Sequence, residues 1–288
     1  MQKYMKKLSS SLWMAGLLVL LSACATKPAI TYLNPGQDKA REMSDQLMAQ
    51  QRLSNQEKAK TIDHHRVWYA GFGLHSGSKA FWGDVQLAKQ RLEEINPELI
   101  SYSFNNDPHQ DKLDAPFAHL GSLDQTARDI ASQAREGDVV TILLTSHGYT
   151  DLVAVEIGNK PTAPIWTRYL KTALAPLEKF PTVLIISSCY SGSLISQLKA
   201  PNRIIVTASA QDKVSYGCQP LANNTFFVDA LFGSKLDSGQ NLMQVFEHTK
   251  ELVTEREKAA KFDPSSPQIF VGEKMQAYAQ QPLKSWLQ

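Results

Sequence analysis

The sequence predicts an α/β protein built on a mainly parallel sheet, and three observations predict it. Two apolar runs, Val139-Val140-Thr141-Ile142-Leu143-Leu144 and Val183-Leu184-Ile185-Ile186, have the length of buried strands and stop abruptly at small polar residues. Segments with apolar residues at helical spacing lie between them and on either side. Strands alternating with helices in this way form βαβ units, whose helices cover both faces of a parallel sheet.

The first 23 residues stand apart. Lys3, Lys6 and Lys7 precede an apolar stretch over 12–21 that runs into Leu21-Ser22-Ala23-Cys24. Basic, apolar and small-residue regions in that order form a signal peptide, and the apolar part is short for a membrane-spanning helix. The last four residues resemble the lipobox of bacterial lipoproteins. That resemblance implies a lipidated Cys24, a signal peptide removed before it, and a membrane partner reached through the lipid anchor. Ala25, where inner-membrane lipoproteins carry aspartate, implies the outer membrane of the cell envelope, facing the periplasm.

Residues 24–63 read as a tether and a polar helix. Pro28 and Asn34-Pro35-Gly36 break the chain, and 38–60 is helical with little to bury. The domain proper spans 64–274. Its first core strand is 66–70, ending in Gly71-Phe72-Gly73, and a helix over 79–95 carries Phe81, Val85, Ala88 and Leu92 on one face. A strand at 99–104 leads into a loop that Asn105-Asn106-Asp107-Pro108 opens and that runs to Gly121. Ser122 with Gln125 predicts a capping box for a helix through 134, which Gly137 closes before the strand at 138–145.

Residues 152–157 alternate as a hairpin arm, and 165–177 form the crossover helix to the strand at 183–186. A short helix stopped by Pro201, a strand at 204–208, helices at 226–232 and 242–261 and an edge strand at 268–271 complete the domain, leaving 275–288 as a C-terminal tail.

Composition narrows the chemistry. At 288 residues, 43% hydrophobic and 20% charged, the chain can bury a core without staples. A net charge of +2 without a basic stripe argues against nucleic acid as a partner. His64 and His65 precede the first strand and His248 lies within a helix, so no spacing suits zinc, and nothing calls for a cofactor. A Gly-x-Ser-x-Gly elbow is absent, which argues against a serine hydrolase of the α/β type.

The two apolar runs end in Thr145-Ser146-His147-Gly148 and Ser187-Ser188-Cys189-Tyr190-Ser191-Gly192. Ligand crevices of open parallel sheets lie outside the carboxyl ends of the strands. If the two strands are parallel neighbours, an imidazole comes beside a thiol, the minimal pair for acyl transfer. The imidazole favours the thiolate and later protonates the leaving amine. The amides of Gly148 and Cys189 are then in place to form an oxyanion hole, with Ser188, Ser191, Gly192 and Ser193 leaving room for substrate. Two other readings compete: an inert buried cysteine in a strand-to-helix turn, and a disulfide between Cys189 and Cys218, the two cysteines left in an oxidising envelope once Cys24 is lipidated.

Three segments in order, the histidine and cysteine strand ends and Thr207-Ala208-Ser209-Ala210-Gln211-Asp212-Lys213-Val214-Ser215-Tyr216-Gly217-Cys218, resemble the legumain-like cysteine peptidases, with closest likeness to bacterial members. Residues 223–232 and 266–272 extend the likeness, which spans about 64–272. The resemblance implies a caspase-like three-layer sandwich with a sheet of about six strands flanked by helices. It implies a cysteine endopeptidase acting on peptide or protein substrates through His147 as general base and acid and Cys189 as nucleophile, with Gly148 and Cys189 amides as the oxyanion hole. Ser188, Ser215 and Tyr216 are the substrate-pocket residues on this reading, and Cys218 becomes a buried thiol beneath their loop. The arginine–histidine pair by which legumains read asparagine has no counterpart in Lys79-Ala80-Phe81-Trp82-Gly83-Asp84. No asparagine near Gly71-Phe72-Gly73 is available to orient the imidazole. The same dyad suits transfer of the acyl group to an amine, as in a transpeptidase. A vestigial site on a scaffold or binding lipoprotein is the remaining alternative.

Overall fold

The computed structural model describes residues 35–106, 113–233 and 236–288. The signal peptide, Cys24, the start of the tether and residues 107–112 of the loop after the second strand lie outside the described residues.

Eleven strands are present among the described residues: β1 (Val67–Gly73), β2 (Ile100–Asn105), β3 (Val139–Thr145), β4 (Gly148–Tyr149), β5 (Leu152–Val153), β6 (Glu156–Ile157), β7 (Lys160–Pro161), β8 (Ile165–Trp166), β9 (Thr182–Ser187), β10 (Arg203–Thr207) and β11 (Gln268–Val271). Six of them form the central sheet in the order β11-β10-β9-β3-β1-β2, parallel except for β11. The strands alternate between two apolar layers. Trp68, Ala70, Phe72, Ile142, Leu144, Leu184 and Ile186 face one, and Val67, Tyr69, Val139, Leu143, Val183 and Ile185 face the other. Burial on both faces is why β1, β3 and β9 read as continuous apolar runs. With helices on both faces, the chain forms the mainly parallel, three-layer α/β sandwich that the sequence predicts.

On the first face lie α3 (Leu120–Gln133), α4 (Thr167–Leu174) and α5 (Ile195–Leu198); on the second lie α2 (Ala80–Ile95), α6 (Phe226–Phe232) and α7 (Leu242–Ala260). The amino-terminal end of β3 is fixed by Asp138, which accepts from Arg66 N–H at 2.8 Å, Arg66 Nε at 2.9 Å and Trp68 Nε1 at 3.0 Å.

Several expectations change. The polar helix is α1 (Pro35–Thr61), and it has a great deal to satisfy: it lies along the open edge of β2. Gln51 donates to Ser103 O at 3.1 Å and accepts from Ser103 N–H at 2.8 Å, Asn55 donates to Ser101 O at 2.8 Å, and Lys58 donates to Leu99 O at 2.8 Å. Four helical residues rise about 6 Å and two strand residues about 6.6 Å, so side chains one turn apart meet successive outward-facing peptide groups.

The tail expected over 275–288 is instead folded into the second layer as α8 (Gln276–Gln280) and α9 (Lys284–Leu287), with Met275, Ala279, Leu283, Trp286 and Leu287 buried. They come from both short helices, the residue just before the first and the turn between them, and all pack into the same apolar cluster. The capping box of α3 sits one turn earlier than expected, at His119, because its Nδ1 accepts from Gly121 and Ser122 N–H at 3.1 and 3.2 Å while Ser122 Oγ accepts from His119 N–H at 2.9 Å. Burial keeps the His119 pKa low, which suits an accepting imidazole.

The hairpin arm at 152–157 belongs to two small sheets, β4-β5-β8 and β6-β7, the latter turning through Gly158 and Asn159, both with left-handed φ (56° and 62°), as a two-residue hairpin turn requires. No helix among the described residues is long and apolar enough to cross a membrane.

Candidate active site

Register, more than any single contact, assembles the site. Gly73 of β1, Thr145 of β3 and Ser187 of β9 are aligned partners at the carboxyl ends of three adjacent parallel strands. Two residues beyond that line the chain carries, in turn, His75, His147 and Cys189. The strand ends that lead to the imidazole and to the thiol are therefore neighbours.

Cys189 occupies a tightly held turn. Tyr190, directly after it, has φ 56°, a left-handed conformation costing a non-glycine residue about 1–3 kcal/mol. The turn is held by Tyr190 N–H donating to Lys213 O at 2.7 Å, Gly192 N–H to Ser209 O at 2.9 Å and Ser193 Oγ to Tyr190 O at 2.7 Å. Behind it, buried Ser209 donates through Oγ to Ser188 O at 3.1 Å and exchanges hydrogen bonds with Ser191. The sulfur faces Ser215: the Ser215 N–H donates to Sγ at 3.3 Å, and Ser215 Oγ and O lie 3.8 and 3.6 Å from it. The sulfur thus accepts from the Ser215 N–H while its own S–H points at the Ser215 carbonyl. Cys189 and Cys218 are both free thiols, so the disulfide reading is excluded. Burial, then the charge of Cys189, raises the Cys218 pKa, which leaves it a poor nucleophile.

Gly148 lies against the same turn. A methyl group there would come within 2.5 Å of the Cys189 carbonyl oxygen and 2.7 Å of Ser188 Oγ, so the position admits only glycine. Ser188 departs from its expected place in the pocket. It is 1% exposed, with its hydroxyl unpartnered between the two strand ends, because the backbone of Gly148 closes over it. Ser215 is half-buried beside the sulfur, and the Tyr216 ring stacks on Phe262 at 4.3 Å, forming an aromatic wall next to it.

His147 is half-buried, its ring edge-to-face with His75 at 4.6 Å and with Phe81 at 5.2 Å. Burial lowers the His147 pKa, and the carboxylate of Glu156 pulls the other way. The His75 pKa is also lowered, by burial and then by His147, so both rings are neutral near pH 7. Glu156 is fixed by Ser76 Oγ at 2.6 Å and lies 3.6 Å from His75 Nδ1, which accepts from Gly77 N–H at 3.0 Å. A neutral imidazole beside a thiol that an amide polarises can remove and return a proton during acyl transfer.

The Peptidase C13 family model matches residues 121–278, more than half of the chain, and covers both the histidine and the cysteine strand ends. The chain belongs to the Peptidase C13 family. This legumain-like peptidase is a cysteine-type endopeptidase, and peptides or proteins are its substrates. No curated protein matches it. Caspase-1 from Spodoptera frugiperda is similar in structure, at 14% identity over 72% of this chain and 86% of that one, with a TM-score of 0.48.

Three neighbours of the peptidase's site escaped the sequence reading: His75, Glu156 and Asp84. His75 follows its strand end at the same offset as His147 and Cys189, a signal that becomes visible only once β1 is known to adjoin β3. Glu156 arrives from a small strand bridged to His75, and no local pattern announces it. Among the described residues no group of three or more His, Cys, Asp or Glu is placed to hold a metal ion.

Proposed function

We propose that the peptidase hydrolyses peptide bonds through a His147/Cys189 dyad and an acyl-thioenzyme. The observation that carries the reading is the shared offset of the two residues beyond the Thr145–Ser187 register line, with the sulfur on the Ser215 N–H.

His147 takes the proton from Cys189 Sγ, and the thiolate attacks the scissile carbonyl carbon. Negative charge on the carbonyl oxygen is met by the Gly148 and Cys189 N–H groups. The imidazolium gives its proton to the departing amine, leaving a thioester on Cys189. Water, losing a proton to His147, attacks the thioester, and the acid leaves as the thiolate returns.

Ser215 and Tyr216 border the substrate side chain before the scissile bond. The enzyme is held at the outer membrane, facing the periplasm, by lipid on Cys24, a reading supported by the basic, apolar and lipobox order of residues 3–24.

Digestion of a peptide library by wild-type and Cys189→Ala chains tests the reaction, and iodoacetamide labelling tests the pair. Cys189 should label at least tenfold faster than in His147→Ala, and the Cys189→Ala variant should cut nothing. Equal labelling with and without His147 sinks the dyad. Products carrying an added amine instead of a free carboxylate identify transpeptidation through the same thioester.

A further inference from the structure

Asp84, in the second turn of α2, is fully buried, at 0% exposure, and no catalytic step above uses it. Its Oδ2 accepts from Thr145 Oγ1 at 2.7 Å and from Thr225 Oγ1 at 2.9 Å. Its Oδ1 accepts from Thr225 N–H at 2.9 Å and from Asn224 Nδ2 at 3.4 Å. Thr225 Oγ1, which donates to the carboxylate, accepts from Ser187 Oγ at 3.0 Å and from Val228 N–H at 3.3 Å. The hydroxyls are thereby ordered, Ser187 to Thr225 to Asp84, with Thr145 arriving from the other side.

Thr145 and Ser187 are the register partners that end β3 and β9, two residues before His147 and Cys189. Thr225 caps α6, directly after the loop that carries Ser215. One carboxylate therefore reaches both strand ends and the segment behind the sulfur's hydrogen-bond partner.

Two roles compete for such a group, substrate anchor and internal tie. Four donors fill the four lone-pair positions of the carboxylate, and none of its surface is exposed, so it has nothing to offer a substrate. It acts through what it holds.

Resting on the dyad reading above, we propose that Asp84 is a positioning residue of the peptidase, fixing the relative placement of the His147 and Cys189 strand ends by binding Thr145 and, through Thr225, Ser187.

The contrast with Asp138 supports this. Asp138, at the opposite end of β3, has Arg66 as counter-charge. Asp84 faces Tyr69 of β1 and Cys218, neither a cation; burial raises the pKa of both, and the charge of Asp84 adds to it. Burial lifts its own pKa to about 7 despite the four donors. A carboxyl with so elevated a pKa does not favour the folded chain at neutral pH, so its place at the site calls for a reason other than stability. On protonation Oδ2 must donate to one of the two hydroxyls that otherwise donate to it, which loosens the tie.

The test uses the purified full chain with Asp84→Asn and Thr145→Val substitutions. Cys189 alkylation by iodoacetamide is followed across pH 5–9 by mass spectrometry, together with kcat, KM and melting temperature. Asp84→Asn should slow alkylation at pH 7.5 at least tenfold and lower kcat at least tenfold with KM within threefold. Thr145→Val should slow both severalfold, and the double variant should be no slower than Asp84→Asn, because the two residues act as one unit.

An Asp84→Asn chain whose alkylation profile stays within twofold of wild type overturns the proposal, whatever its melting temperature does. If that variant fails to fold, Thr145→Val decides, and alkylation within twofold of wild type overturns it. Labelling that is His147-dependent yet indifferent to Asp84 removes this inference alone. Labelling that is indifferent to His147 removes the dyad and this inference with it.

Discussion

The imidazole of His147 meets the rings of His75 and Phe81 edge-to-face and feels the carboxylate of Glu156, and in the proposed dyad that balance sets the pH at which it can act as a base. Burial is the larger influence and lowers the pKa below the usual 6.5; Glu156 raises it. A lowered pKa means that the neutral, proton-accepting form persists to more acidic pH, so the acid limb of kcat/KM should fall below pH 6.5. Glu156→Gln removes the opposing charge, and the limb should move to still lower pH. A pH–rate profile checks both, and a limb that moves upward in the variant counts against the assignment. The placement of His147 and Cys189 just beyond neighbouring strand ends was legible because each ends an apolar run. His75 and Glu156 were not, because their claim rests on which strand lies next to which.

At the scale of elements, α1 shows a helix acting as a strand's partner. Its sequence is mostly polar, which reads as a helix with little to bury, yet the peptide groups of an edge strand are polar surface that needs covering. Gln51 matches one peptide unit of β2 as a neighbouring strand would, giving one hydrogen bond and taking one. Gln51→Ala should lower stability by about 1–3 kcal/mol for the two bonds lost, measured by urea unfolding. Leu53→Ala, 62% exposed on the same helix, should change it by less than about 0.5 kcal/mol. Equal effects from the two would refute the idea that α1 docks through its amides.

For the molecule as a whole, the last fourteen residues close the second core layer. Burial of Met275, Leu283, Trp286 and Leu287 contributes about 1.5–3 kcal/mol for each side chain, or about 6–12 kcal/mol together. That is comparable with the total stability of a typical domain, about 5–15 kcal/mol. A chain ending at residue 274 should therefore show no cooperative melt by circular dichroism, and Trp286→Ala alone should cost about 3–5 kcal/mol. A truncated chain that melts as wild type would mean that the layer closes without these helices.

What the sequence determined by itself was whatever local pattern encodes. Apolar runs gave β1, β3, β9 and β10, helical spacing gave α2 and α7, and the residues ending two of those runs gave the thiol and the imidazole. Tertiary structure decided the rest, because it depends on partners distant in the chain. The register line Gly73–Thr145–Ser187 sets three side chains in a row, the free state of Cys189 and Cys218 excludes their bridge, and Asp84 gains its meaning only from the threonines that other elements bring to it. A buried carboxylate or an edge-covering glutamine looks like any polar residue along the chain. Its energy is set by which donors surround it, and those are chosen by the fold.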